Sequence, residues 1–126
     1  MIINVDLVRV SYVENKNVDY ATLIFKIGYG KRVSIENSRE YWVLLKSLID
    51  GGALKILCNF SENEFIDSSG IGVLIKAAKN LKPKNGKIVI TNTKPEIAEI
   101  FKIINLQTLI DIYRNESEAI NSFRYL

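Results

Sequence analysis

The spacing of apolar residues changes period once along this chain, and that change limits the fold more than any other feature. Up to about residue 30 the pattern reads as strand, in the runs Leu7-Val8-Arg9-Val10-Ser11-Tyr12-Val13 and Tyr20-Ala21-Thr22-Leu23-Ile24-Phe25-Lys26-Ile27. A polar segment that includes Glu14-Asn15-Lys16-Asn17 joins them, which predicts an antiparallel hairpin at a sheet edge. From about Asn37 helical and strand patterns alternate. Tyr41, Leu44, Leu45 and Leu48 recur at helical spacing, with Asn37 and Glu40 placed for a capping-box-like start and Gly51-Gly52 for a stop. The strand Leu54–Cys58 follows, then a helix with the stripe Ile71, Leu74, Ile75 and Ala78, stopped by Leu81-Lys82-Pro83-Lys84-Asn85-Gly86. Lys87–Thr91 reads as a strand buried on both faces, because its apolar residues run together. Thr93 as N-cap, Pro95, and Glu96 open a third helix with the stripe Ile97, Ile100, Phe101 and Ile104. Thr108–Tyr113 reads as the last strand, and Asn115 with Glu118 opens a terminal helix carrying Ala119, Ile120 and Phe123.

The order β-β-α-β-α-β-α-β-α predicts an α/β fold: a mixed β-sheet with an initial antiparallel hairpin, then alternating helices and strands, parallel wherever a helix crosses over. With 126 residues and no repeat or Pro/Ser-rich linker, the expectation is a single domain over residues 1–126. No apolar run approaches the roughly 18 residues of a membrane helix, and Met1 leads straight into Ile2-Ile3-Asn4 without a basic region or cleavage site, so a cytoplasmic location and no membrane partner are expected. The net charge of +3 is mild and its basic residues are spread along the sequence among acidic ones, which argues against nucleic acid as a partner. The chain has no histidine, and triad hydrolases, most catalytic zinc sites and many general-base mechanisms rely on one. The single cysteine, Cys58, closes an apolar run and reads as a small core residue. No cofactor, metal or catalytic residue is expected.

Sites in such sheets gather where strand ends meet helix starts, which directs attention to the junction from Asn59 to Gly72. Asp67, Ser68 and Ser69 are all good N-cap types, so one of them is expected to cap the second helix. A hydroxyl there lies beside unpaired N–H groups and the positive end of the helix dipole, while Gly70 and Gly72 leave room for close approach. From the residues alone, the run is either a capped tight turn or a helix start able to hold a phosphate. Gly28-x-Gly30 and Gly70-x-Gly72 fail as dinucleotide loops, since Val33 and Ile75 stand where a third small residue belongs. Ser68 fails as a hydrolase nucleophile, because the Gly-x-Ser-x-Gly elbow and a histidine base are both lacking.

The stretch Phe65-Ile66-Asp67-Ser68-Ser69-Gly70-Ile71-Gly72-Val73-Leu74 closely resembles the phosphorylation-site motif of STAS-domain anti-sigma-factor antagonists, including the stage II sporulation AA type. The resemblance implies a STAS-like fold and a non-enzymatic, phosphorylation-switched module that binds an anti-sigma factor with serine kinase activity, with a phosphatase as a possible further partner. Carried over by position, it implies phosphorylation at Ser68, with Ser69 as the fallback, and a partner-binding surface of Asp67, Ser68, Ser69, Gly70 and Gly72. The chain departs from the family at Gly28-Tyr29-Gly30-Lys31-Arg32-Val33, where a Gly-x-hydrophobic-Asp turn is usual and basic residues stand instead. Such a turn near Ser68 can stabilise a phosphoserine by charge-assisted hydrogen bonds, or be a plain exposed turn. Two other readings stand beside this one: a constitutive STAS scaffold subunit of a signalling assembly, and a small-ligand binder or enzyme using Asp67 or Glu64.

Overall fold

In the computed structural model, which describes the backbone of residues 2–15 and 18–123, strand β1 (Asn4–Asn15) runs antiparallel to β2 (Val18–Gly28). Asn4 faces Gly28 and Val10 faces Thr22. Both strands outrun their sequence-predicted limits; Lys16 and Asn17, expected between them, lie outside the described residues. After the short strand β3 (Arg32–Val33), helices and strands alternate: α1 (Ser38–Asp50), β4 (Lys55–Asn59), β5 (Phe65–Ile66), α2 (Ser68–Leu81), β6 (Lys87–Thr91), α3 (Pro95–Ile103), β7 (Asp111–Tyr113) and α4 (Glu116–Ser122). The main sheet has the order β1-β2-β4-β6-β7, parallel from β2 onward, with the hairpin strand β1 at its edge as expected. The fold class read from the sequence holds.

The period-2 alternation of the strands divides the core in two. Ile27, Ile56, Cys58, Ile88 and Ile90 point to one face, where they meet Tyr41, Leu45 and Ile49 of α1, Val73, Leu74 and Ala77 of α2, and Ile97 and Phe101 of α3. Ile24, Leu57 and Val89 point to the other face and are covered by Ala119 and Phe123 of α4. Burying a side chain of this size contributes roughly 1.5–3 kcal/mol, and strands β4 and β6 collect that gain on both faces. At the upper ends of the strands, Tyr29 stacks on Phe60 at 4.3 Å and on Tyr41 at 4.6 Å between ring centroids, and Phe60 meets the edge of Phe101 at 5.6 Å.

Several local expectations are corrected. A second ladder, β3 beside β5 in parallel with Arg32 opposite Phe65 and Val33 opposite Ile66, went unread because two-residue strands carry no periodicity. Asn37 does occupy the N-cap of α1, but its side chain makes no cap bond. Its Oδ1 accepts from Ser34 N at 2.9 Å and its Nδ2 donates to Arg32 O at 2.8 Å, so it organises the β3 exit instead. The α1 stop is as read: Gly52 (φ +104°) and Ala53 donate to Ile49 O and Leu48 O, the paired bonds of a Schellman end. In α2 the buried face runs through Gly70, Val73, Leu74, Ala77 and Leu81, whereas Ile71, Ile75 and Ala78 are half-buried along its flank. Helix α3 is capped at Lys94 rather than Thr93, and Ile104 lies just past its end, exposed. The last strand begins at Asp111 instead of Thr108, which belongs to a 3-10 turn that buries Leu106. Asn115 caps α4 by accepting from Glu118 N, as its sequence predicts.

Candidate functional site

The junction before α2 is built by two polar side chains that tie distant parts of the chain together. Asn63, fully buried, donates through Nδ2 to Gly30 O at 2.8 Å and to Phe65 O at 3.0 Å, which joins the β2 exit to β5. Backbone bonds continue the seam, from Glu64 N to Lys31 O and from Asp67 N to Val33 O. Asp67 then settles the capping question: its Oδ1 accepts from Ser69 N at 2.9 Å and Gly70 N at 3.1 Å. Its second oxygen, Oδ2, accepts from Ile35 N at 3.0 Å. Partial burial pushes the Asp67 carboxyl up, but the N–H groups of Gly70, Ile35 and Ser69, together with the nearby Arg32 guanidinium, outweigh it and hold the group below its ordinary value.

With Asp67 as cap, Ser68 is the first residue of α2, and it is exposed. Its side chain is not needed to finish the helix. Ser69 is half-buried and Gly70 buried. A Cβ at Gly70 would stand 2.7 Å from Ile66 Cγ1 and 2.8 Å from Val33 Cγ1, so the glycine lets α2 rest on the β3–β5 ladder. Gly72 differs, since a Cβ there would meet nothing within 4 Å and the fold places no demand on it. The five residues singled out in the sequence therefore converge on one short surface, with Gly70 inside it and Ser68 outward.

Of the residues that frame this surface, sequence reasoning raised the basic turn and Glu64 but missed Ile35 and Asn63. The basic segment after β2 does lie beside the junction: Arg32 packs its guanidinium carbon 4.0 Å from the Phe65 ring centroid, a cation–π contact. Ile35 is 74% exposed and Phe65 39% exposed, two apolar side chains open to solvent beside a hydroxyl. Glu64 is half-exposed and faces Lys94 at 3.4 Å and Lys31 at 3.9 Å. Ion pairs this exposed are worth about 0–1 kcal/mol and leave the rim polar. Asn63 sits in a run of polar loop residues where nothing in the sequence sets it apart. Ile35 and Phe65 become informative only once the fold shows them uncovered.

The arrangement suits binding better than acid–base chemistry. Asp67 is occupied by three N–H donors and ionises below the usual range, the opposite of what a base poised near neutral pH needs. Cys58 is buried, its thiol pushed up to about 12 by desolvation against a smaller opposing hydrogen bond from Tyr29, so it stays a protonated core residue. Among the described residues no group of three or more Cys, Asp or Glu is placed to hold a metal ion, and no helix is long and apolar enough to cross a membrane.

A family model described as the STAS domain matches residues 17–119. BtrV of Bordetella bronchiseptica, whose name places it provisionally among the anti-sigma factor antagonists, is 23% identical over 92 residues, covering 73% of this chain and 79% of its own. The anti-sigma F factor antagonist of Paenibacillus polymyxa is 28% identical over 65 residues, covering 52% of this chain and 56% of its own. Among solved structures, phosphorylated SpoIIAA of Bacillus superposes with a TM-score of 0.63 at 19% identity, over 93% of this chain and all of that one. At that identity the superposition speaks for the fold alone.

Proposed function

Because the chain belongs to the STAS-domain family and is similar to anti-sigma factor antagonists, we propose that it is a phosphorylation-switched antagonist, one STAS-like domain over residues 1–126 without catalysis of its own. In its unmodified form the surface around Ser68 docks on a cytoplasmic anti-sigma factor with serine kinase activity. Phosphate on Ser68 breaks that contact, and a phosphatase restores it. The observation that carries this reading is the division of labour at the helix start: Asp67 caps α2, which leaves the exposed Ser68 hydroxyl free for modification. Ser69, half-buried with its N–H held by Asp67, is the poorer acceptor.

The switch is electrostatic. A phosphoserine carries about −1.5 to −2 charge at neutral pH. On the surface that also exposes Ile35 and Phe65, it would put a charge where a partner makes apolar contact, at a desolvation cost. The modified protein tolerates the same charge, because the helix start favours anions and Arg32 stands close by. The basic segment that departs from the family pattern thus supplies a counter-ion for the phosphorylated state.

The test has two parts. Incubation with ATP, Mg²⁺ and the lysate of its own cells, followed by mass spectrometry, should place phosphate on Ser68 and lose it in Ser68→Ala. Calorimetric titration of the anti-sigma factor should then show binding by the unmodified protein and about 10- to 100-fold weaker binding by the phosphorylated one. Equal affinity of the two forms would sink the switch. An unmodified protein beside a working positive control would assign the chain to a constitutive scaffold.

A further inference from the structure

One short lysine-rich segment, joined by Lys55 of the neighbouring strand, marks one end of the molecule. The parallel topology places the ends of α1, α2 and α3 and the starts of β4 and β6 at the pole opposite Ser68. The nine residues Lys79–Lys87 carry four lysines and no acid, more positive charge than the chain's net +3. Lys55 lies beside Lys87 in the β4–β6 register. Lys84 Nζ donates to Ile49 O at 3.2 Å, and the Gly86 backbone packs so closely on Leu54 that a Cβ would come 2.9 Å from its carbonyl oxygen. The lysine turn therefore lies directly against the end of α1. The acids beside it are already engaged, Asp50 by Lys46 at 2.8 Å and Asp111 by Lys87 at 2.6 Å.

Apolar surface opens on both sides of this turn. On one side an open groove of about 570 Å³ is lined by Leu23, Phe25, Leu48 and Leu54 together with Lys55. On the other a depression of about 190 Å³ holds Ala78, Ile88 and Leu109 between Lys82 and Lys87. Leu54 and Leu109 are 43% and 41% exposed. Lysines near helix ends complement the helix dipole, which accounts for Lys79, Lys82 and Lys84. Lys87 is paired with Asp111, but neither device accounts for Lys55, which lies in a strand, nor for the uncovered leucines.

We propose that this pole docks on an anionic lipid bilayer, with Lys79, Lys82 and Lys84 at the headgroups, Lys55 beside them, and Leu54 and Leu109 entering the interface. The cations of this cluster are lysines, point charges on flexible stems that suit a diffuse anionic surface. Carboxylate recognition by a protein partner favours arginine's planar fork, and lysine is depleted in protein interfaces. Clusters of four to eight basic residues read as binding anionic lipid, and flanking leucines add the apolar part. The expectation of no membrane partner rested on the absence of an apolar run long enough to cross a bilayer, which leaves docking on its surface open. This docking does not depend on the Ser68 switch, and both surfaces can be occupied together because they lie at opposite ends.

The intact chain is sedimented with vesicles of phosphatidylcholine alone and with vesicles containing roughly a quarter phosphatidylserine. Binding is expected only to the second, weakening as salt rises. Lys79→Gln/Lys82→Gln should lower partitioning about 25-fold, about fivefold per lysine. Leu54→Ser/Leu109→Ser, which keeps the charge, should lower it several-fold. The control Lys31→Gln/Lys94→Gln removes the same charge from the Ser68 pole and should bind as wild type. Circular dichroism melts confirm that each variant is folded. Equal binding to both vesicle types, binding to neither, or an equal loss in the control pair overturns the proposal. So does binding to a short DNA duplex in place of vesicles, which would make the pole a nucleic-acid surface.

Discussion

Asp67 carries more of the site than any other residue, because one carboxylate serves two segments of backbone. It finishes α2 through Ser69 and Gly70 and anchors the β3 exit through Ile35. Its ionised form is the one these donors favour, so its folded-state pKa lies below the unfolded value of about 4. The sign follows: the stability it contributes is fully present above that unfolded value and is lost as the pH falls through the lowered folded one. Asp67→Asn should therefore be less stable than wild type at about pH 7, with the gap narrowing as the pH falls below about 4, as read from urea midpoints on either side of that value. An equal gap at both would mean that the carboxylate's charge plays no part.

At the scale of elements, the contact between α2 and the β3–β5 ladder decides where Ser68 is presented. Gly70→Ala pushes a methyl into the β-branched side chains of Val33 and Ile66 and should cost about 1–3 kcal/mol by denaturant unfolding. Gly72→Ala, in open space two residues on, should be neutral or stabilising by up to about 1 kcal/mol, since alanine is the better helix former. A loss of partner binding in Gly72→Ala with stability intact would assign that glycine to the partner, whereas for Gly70 the two losses arrive together.

This contact also marks how far the sequence can be read. The order of long elements was legible because strand and helix periods persist over several residues. The face of α2 was read about one position off, because Gly70 and Ala77 do not register as apolar anchors, yet they are the positions that permit close approach. The β3–β5 ladder was invisible for a different reason. It exists through pairing between segments more than thirty residues apart, and nothing local in Arg32-Val33 or Phe65-Ile66 announces it. The same holds for the site: its central residues stand in one continuous motif, while Arg32, Ile35 and Asn63 are brought in by the fold.

At the scale of the whole molecule, the stack of Tyr29, Tyr41, Phe60 and Phe101 joins the β2 exit, α1, the β4 exit and α3 beneath the site. Phe60 is fully buried at its centre. Phe60→Ala should cost about 3–5 kcal/mol, a large share of the roughly 5–15 kcal/mol by which domains are stable. Guanidinium unfolding with proteolysis as a second probe checks this. The expected result is one cooperative transition at lower denaturant, with cleavage near Ser68 rising in step, and unchanged stability would show that the stack bears no weight.

The bond from Ile35 to Asp67 spans 32 positions of sequence. A chain still emerging from the ribosome, or one that has come undone, keeps the letters Asp67-Ser68-Ser69-Gly70 but not the platform, because closing that loop awaits the meeting of the first third of the chain with its middle. A kinase that recognises the platform would pass over such chains. Phosphate on Ser68 would then amount to a stamp applied only after inspection, so that the modified pool counts finished molecules rather than synthesised ones.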